Sequence, residues 1–160
     1  MVNNRLATYL NDHLAGAVAA VRLLESLAHV YEELRPRLTA LRADIEADRL
    51  DLQALMARLD IGESQTRKIG GWVAEQASAL KMRLDDSADG PLRLFESLEF
   101  LSLGIAGKLG LWEALTAAAE ISPRLRCADY NRLIHRAIDQ RRRAEALRLE
   151  AAAEALVKND

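Results

Sequence analysis

The chain has 160 residues, half of them hydrophobic but only 4% aromatic, with 22 basic and 24 acidic residues and a net charge of −2. This length predicts one domain, 1–160, and an apolar content carried by alanine and leucine favours packed helices over a β-sandwich. The balanced charge excludes the basic footprint of a nucleic-acid-binding protein, and a lone Cys127 excludes an intrachain disulfide. With no signal-peptide pattern and no apolar run of about 20 residues, a cytoplasmic protein without a membrane span is expected.

The first two helices are set by proline and glycine. The first is predicted from about Arg5 to Leu34 and ends at Pro36, which can open the second helix as a first-turn proline. The second continues to about Asp60, with Gly62 as its stop.

Three further helical segments follow, and no strand is expected. Ser64 is expected to cap a shorter third segment, and the run Asp89-Gly90-Pro91 separates that segment from a long fourth helix. Asp129 is expected to cap the last helix. The predicted segments are 5–34, 37–60, 65–84, 91–120 and 127–157.

The lengths of the joints predict the topology. Short joints around 35–36 and 121–128 make antiparallel pairs of the first helix with the second and of the fourth with the last. The 65–84 segment then carries the chain back along the bundle, because 20 helical residues span about 30 Å. The fold class is therefore all-α, a ferritin-like four-helix bundle with an additional short crossover helix, and a plain five-helix array is the alternative.

Four stretches carry a family resemblance: DHLAG at 12–16, IEADR at 45–49, FESLEFLSLGIAGK at 95–108 and EALRLEAA at 145–152. They resemble a set of uncharacterised bacterial helical-bundle proteins that are grouped with the ferritin-like superfamily, and the similarity spans nearly the whole chain. The resemblance implies a di-iron carboxylate centre inside the bundle, used for iron oxidation or oxygen chemistry.

The ligands of such a centre are missing from the sequence. Di-iron bundles take one glutamate from each of two helices and a Glu-x-x-His pair from each of the other two. No histidine of this chain stands three residues after a glutamate, and the best matches by position are Glu46 with Arg49 and Glu145 with Arg148. Since a guanidinium has no lone pair to offer a metal, we expect no metal ligands, no cofactor and no catalytic residues.

Polar residues occupy the predicted inward stripes instead. His13 falls on the stripe of the first helix, Asp48 on that of the second, Ser102 on that of the fourth, and Arg141 and Arg148 on that of the last. Counted from the helix ends, Asp48, Ser102 and Arg148 are level, which predicts a buried polar layer where a ferritin would hold iron. The alternative is that some helices are rotated and these charges lie at the edge of the core. We expect His13 to be a buried or half-buried hydrogen-bonding residue.

The surface offers weaker candidates. Glu25 and His29 are four residues apart, as in a surface metal site, although a solvated face is the simpler interpretation. Cys127 is expected to be an unreactive thiol despite Arg124 and Arg126 nearby. His135 is expected to be exposed.

Two patterns indicate contacts between helices. Small residues after His13, among them Gly16, are expected to mark where another helix comes close. The fourth helix is apolar nearly all round, so either the 65–84 segment or a second subunit covers it, and a homodimer through this helix is expected. The residues that give it this character are Leu94, Phe100, Leu101, Leu103 and Leu111.

Three functions are compatible with these patterns. The first is a non-catalytic ferritin-like bundle that acts as a homodimeric interaction or structural module, without nucleic acid or membrane as partner. The second is an iron- or manganese-binding oxidoreductase or iron-handling protein with a non-standard site, using His13 or the set Glu25, Glu46 and Glu99. The third is a small-molecule binder with a cavity between helices and a ligand that the sequence does not identify.

Overall fold

The computed structural model describes residues 4–64 and 90–157, which form four α-helices and no strand. The all-α prediction is confirmed, and the predicted third segment, 65–84, lies outside the described residues. Short 3-10 turns, Glu32–Leu34 and Pro123–Leu125, join the helices within each pair. The helices are α1 (Asn4–Val30), α2 (Arg35–Arg58), α3 (Gly90–Ile121) and α4 (Tyr130–Val157).

The break between α1 and α2 comes four residues earlier than predicted. α1 ends at Val30 and not at Leu34, and the 3-10 turn is closed by a hydrogen bond from the Leu34 N–H to the Tyr31 carbonyl at 3.1 Å. The reason is Pro36 in the first turn of α2. A proline ring clashes with the carbonyl four residues before it, so a continuous helix is interrupted upstream of the proline itself.

α2 ends on an aspartate and not on the predicted glycine. Asp60 has a φ of 58°, in the left-handed region, whereas Gly62 has no positive φ. The Ile61 N–H reaches back to the Met56 carbonyl at 2.9 Å and the Asp60 N–H to the Ala57 carbonyl at 3.2 Å. This is the hydrogen-bond pattern of a Schellman motif, in which aspartate is one of the few residues other than glycine that tolerate the left-handed position.

Two clusters of buried side chains show the direction of each helix. Along the chain, α1 and α4 run from the cluster around Trp112 to the cluster around Leu98. α2 and α3 run in the opposite direction, from the cluster around Leu98, the second, to the cluster around Trp112, the first. α1 and α2 are therefore antiparallel, as are α3 and α4, while α2 and α3 run the same way. The first cluster includes Leu10, Leu14, Leu52, Leu55, Trp112 and Leu133, and the second Leu24, Leu27, Leu41, Leu98, Leu101 and Leu147.

Membrane-spanning character is weak in the described helices. None of them alone is long and apolar enough to cross a bilayer. α1 and α2 satisfy a criterion of length and composition only when taken together, as a pair bent by 120° at the break between them.

Candidate functional site

A buried carboxylate, Asp48, joins three helices between the two apolar clusters. It lies on α2 and is only 2% exposed. Its Oδ2 accepts hydrogen bonds from the Lys108 ammonium on α3 and, at 2.9 Å, from the Gln140 Nε2 on α4. Its Oδ1 accepts from Arg136 on α4. Both carboxylate oxygens are therefore fully engaged, which a buried charge requires.

The ion pairs continue outward along α4. Arg136 also binds Asp51, and the Nη2 of Arg132 lies 3.2 Å from the Asp51 Oδ1. Burial works to raise the pKa of Asp51, but the hydrogen bonds from the two arginines outweigh it and hold that pKa below its usual value. Burial lowers the pKa of Lys108, against the opposing influence of Asp48. We call this group the charge cluster; its members are Asp48, Asp51, Lys108, Arg132, Arg136 and Gln140.

The partners of Asp48 differ from the predicted polar layer. Ser102 is buried, as its position on the inner stripe implies, but it donates to Glu145. Arg148 is half-buried and binds the same glutamate, with its Nη2 2.8 Å from the Glu145 Oε2. The prediction that Asp48, Ser102 and Arg148 are level is wrong because the helix ends are not level. α3 has 32 residues and α2 only 24, so positions counted from the chain breaks do not align.

Arg141 was also placed wrongly, because α4 is rotated relative to the predicted stripe. Arg141 is exposed, and the neighbouring Gln140 is fully buried in its place. The inner face of α4 repeats every three and four residues and consists of Tyr130, Leu133, Ala137, Gln140, Ala144, Leu147 and Ala151. Arg136, beside Ala137, reaches Asp48 from the edge of this face.

In each of the two Glu-x-x-Arg motifs, the arginine forms an ion pair with the glutamate of the same motif. The Arg49 guanidinium binds both oxygens of Glu46, at 2.6 and 2.8 Å, and Arg148 binds Glu145 in the same i,i+3 geometry. The hydrogen bond from Arg49 holds the pKa of Glu46 below its usual value. These carboxylates are therefore neutralised by their own helix.

The alternative metal ligands do not converge either. Glu25 is exposed and lies 3.9 Å from Arg42, and Glu99 lies 3.7 Å from Arg148. His29 is exposed. Among residues 4–64 and 90–157, no group of three or more histidine, cysteine, aspartate or glutamate side chains is placed to hold a metal ion.

An apolar groove of about 380 Å³ lies between α1 and α3, with α2 at its floor. A Cβ atom built at Gly16 on α1, or at Gly104 or Gly107 on α3, would meet no atom of residues 4–64 and 90–157 within 4 Å. The expectation that the small residues mark a close helix contact is therefore wrong for the four described helices, none of which packs against these glycines. The groove is lined by Tyr9, Asp12, His13, Gly16, Ala17, Ala20, Ile45, Asp48, Leu52, Phe100, Leu103, Gly104, Gly107, Lys108, Leu111 and Trp112, among others.

His13 lies on the α1 wall of this groove and is half-buried, within the range expected for it. Its ring packs edge-to-face on Tyr9, with centroids 4.7 Å apart and planes at 80°. Within the described parts of the chain its side chain forms no hydrogen bond, so the predicted hydrogen-bonding role is not found there. Burial lowers the pKa of His13, and the nearby Asp12 charge opposes this only in part.

The lowered pKa of His13 predicts a loss of stability in acid. The imidazole has an ordinary pKa of 6.5 and a lower one in the fold, so below 6.5 the unfolded chain binds more protons. The free energy of unfolding should therefore fall as the pH drops through this window. In urea denaturation at about pH 8 and pH 5, His13→Gln should reduce the difference between the two values. His135→Gln, on the exposed face of α4, is the control, and an equal reduction in both variants would contradict the assignment to His13.

The apolar circumference of α3 is largely covered within the single chain. Leu94, Leu101 and Leu111 are buried, whereas Leu103 is 57% exposed beside the groove. The exposed apolar surface of α3, on which the predicted homodimer rests, is thus smaller than the sequence implied. The homodimer stays a prediction.

The remaining sequence candidates, Asp129, Cys127 and His135, lie in the connection before α4 or on α4 itself. Asp129 caps α4, since its Oδ1 accepts from the Arg132 N–H at 3.0 Å, as predicted. Cys127 is half-buried, and the guanidinium of Arg126 donates to the carbonyls of Ala119 and Glu120 at 2.8 and 3.0 Å. His135 is exposed, as expected.

The candidate site thus consists of the charge cluster and the groove, two features that touch at Asp48 and Lys108. Comparison with models of known protein families, with curated proteins and with solved structures finds no match for this chain.

Proposed function

We propose that this chain is a non-catalytic helical bundle of the ferritin-like type, which binds a small apolar molecule in the groove between α1 and α3. The observation that carries the proposal is the groove of about 380 Å³, whose lining is mostly apolar and includes the ion pair of Asp48 and Lys108. Binding sites for small molecules are typically concave and mostly apolar, with volumes of about 300–1,000 Å³ and a few polar groups that orient the ligand.

The ends of the described segments support the ferritin-like topology. The Ser64 N–H donates to the Asn11 side chain at 2.7 Å, near the start of α1. The Gly90 carbonyl accepts from the Tyr31 hydroxyl at 2.7 Å, just beyond the end of α1. Asn11 and Tyr31 are about 30 Å apart along a helix of that length. The described segments before and after the link therefore end at opposite ends of the bundle, as the proposed long crossover of a ferritin-like fold requires.

The pairing of the charged groups supports a binding role over a catalytic one. Both oxygens of Asp48 accept hydrogen bonds from side chains of α3 and α4, so this carboxylate is engaged in contacts between helices. Glu46 and Glu145, the best matches by position to the ligands of a di-iron bundle, are each paired with an arginine one turn away. Because these charged groups are paired with one another, the groove is the feature proposed to bind a ligand.

Filling the groove should abolish binding of an uncharged apolar probe. N-phenyl-1-naphthylamine fluoresces strongly only when it is removed from water, so we expect its emission to rise on addition of the wild-type protein. Gly104→Leu should weaken this binding at least about tenfold, because the new side chain enters the groove, which buries most of a ligand's surface. It should still fold, since a Cβ at this position meets no atom of the described segments within 4 Å and leucine has the higher helix propensity.

The matched control is Ala114→Leu, which adds the same side chain at an exposed position of the same helix, outside the groove. This variant should bind the probe as the wild type does. Equal binding by Gly104→Leu and wild type would contradict the proposal. A loss of probe fluorescence that coincides with a doubling of the protein's molecular mass in light scattering would also contradict it. In that case a second copy of the chain would occupy the groove.

A further inference from the structure

We propose that the ligand of the groove carries a carboxylate, which Lys108 and Trp112 bind from one face of α3. This inference rests on the proposed function, because it names the polar group of the same ligand. It follows from two side chains that each keep an N–H without an acceptor among the described residues, from the sharing of Asp48 between two cations, and from the apolar surface around them.

The two donors lie one helical turn apart. Lys108 donates to Asp48 and to Gln140, but an ammonium group has three N–H donors, and the described residues supply no third acceptor. Trp112 is fully buried, and its Nε1–H has no hydrogen-bond partner among the residues described. Both side chains line the groove, and a spacing of four residues places them on the same face of the helix. A buried donor without an acceptor is unfavourable, so a ligand oxygen between them would satisfy both.

Lys108 shares its buried carboxylate with a second cation. Asp48 pairs with Lys108 and also with Arg136. A ligand carboxylate beside Lys108 would be attracted to the ammonium, whereas a cationic ligand would be repelled by it.

The other acidic residue that lines the groove does not supply this charge. Asp12 is exposed, so solvent screens its charge. The body of the ligand is set by the remaining walls, which are glycine, alanine, leucine, isoleucine and aromatic side chains. The structure therefore assigns to this site an apolar chain or ring that ends in a carboxylic acid.

Three ligands with the same chain test the polar group. Decanoate, methyl decanoate and decylamine, each below its micellar concentration, are titrated against the protein with bound N-phenyl-1-naphthylamine. Decanoate should displace the probe at least about tenfold more effectively than methyl decanoate, the effect expected of a hydrogen bond to a charged group. Decylamine should be the weakest of the three.

Variants then assign the effect to the two donors. Lys108→Met should bring decanoate and methyl decanoate to about equal potency, and Trp112→Phe, which keeps a ring but removes the N–H, should weaken decanoate about threefold to tenfold. Arg142→Met removes an exposed cation of α4 outside the groove and should leave the preference for decanoate unchanged. Circular dichroism checks each fold, and if Lys108→Met does not fold, Trp112→Phe alone decides.

The two proposals fail in different ways. Equal displacement by all three ligands, or an unchanged preference for decanoate in folded Trp112→Phe, would overturn the carboxylate and leave the groove as an apolar site. Absence of probe binding to the wild-type protein would overturn the proposed function itself.

Discussion

Asp48→Ala should lower the free energy of unfolding by about 3–5 kcal/mol, because it leaves two buried or half-buried cations, Lys108 and Arg136, without their shared carboxylate. Lys108 is only 12% exposed at its side chain, so water can replace the lost carboxylate only in part. Arg136 keeps Asp51 as a partner, so most of the loss comes from Lys108. Urea denaturation at pH 7, followed by circular dichroism, measures the change.

The reverse deletion should be much milder. Lys108→Met leaves Asp48 with Arg136 and with the Gln140 amide at 2.9 Å, so no buried charge loses all its partners. Burial already lowers the pKa of Lys108, which means that the fold disfavours its charged form. We expect a loss of about 1 kcal/mol or less for this variant, the size of one ordinary hydrogen bond.

Asp44→Ala is the control for Asp48→Ala. Asp44 pairs with Arg143 between the same two helices, but its side chain is 41% exposed, so water replaces the lost partner. Its removal should cost less than about 1 kcal/mol. Similar losses for Asp44→Ala and Asp48→Ala would show that the charge cluster is solvated and does not act as a buried network.

The inner face of α2 was predictable in full, and that of α4 was not. In α2, the stripe Leu38, Leu41, Ile45, Asp48, Leu52, Leu55 and Leu59 is buried throughout, because leucines at three- and four-residue spacing define one face. α4 has alanines at Ala137, Ala144 and Ala151. Small side chains mark a face weakly, so a rotation that exchanges Gln140 for Arg141 leaves the apparent pattern almost unchanged.

Lys108 was missed although the sequence contains its signal. It stands three residues after Ile105 and four before Trp112, both buried, and therefore on the inner stripe of α3. Which polar residues meet across helices depends on the relative heights of the helices, and no pattern within one helix contains that information. The groove was unpredictable for a related reason. Small residues such as Gly16 and Gly104 permit close packing, but whether a helix takes that position depends on how α1 and α3 are held by α2 and α4.

A second large effect is expected at Asn11, which fixes the chain after α2 to α1. Asn11 is 6% exposed, and its Nδ2 donates to the Ala7 and Gly62 carbonyls at 2.9 and 3.2 Å. Its Oδ1 accepts from the Ser64 N–H at 2.7 Å. One side chain thus satisfies a backbone donor and a backbone acceptor from a stretch more than fifty residues away. No aliphatic residue can replace either bond.

Asn11→Ala should therefore lower the free energy of unfolding by about 1–2 kcal/mol, since it removes two hydrogen bonds of a buried side chain, while water can partly replace Asn11 at the exposed Gly62 and Ser64. Asn11→Asp keeps the acceptor for Ser64 but sets a buried carboxylate oxygen against the Ala7 and Gly62 carbonyls, so its loss should be at least as large. Ser26→Ala, which deletes an exposed bond to the Arg22 carbonyl on the same helix, should cost less than about 0.5 kcal/mol. Urea denaturation of the three variants orders them, and a loss for Asn11→Ala no greater than that for Ser26→Ala would show that the stretch after α2 is not held by Asn11.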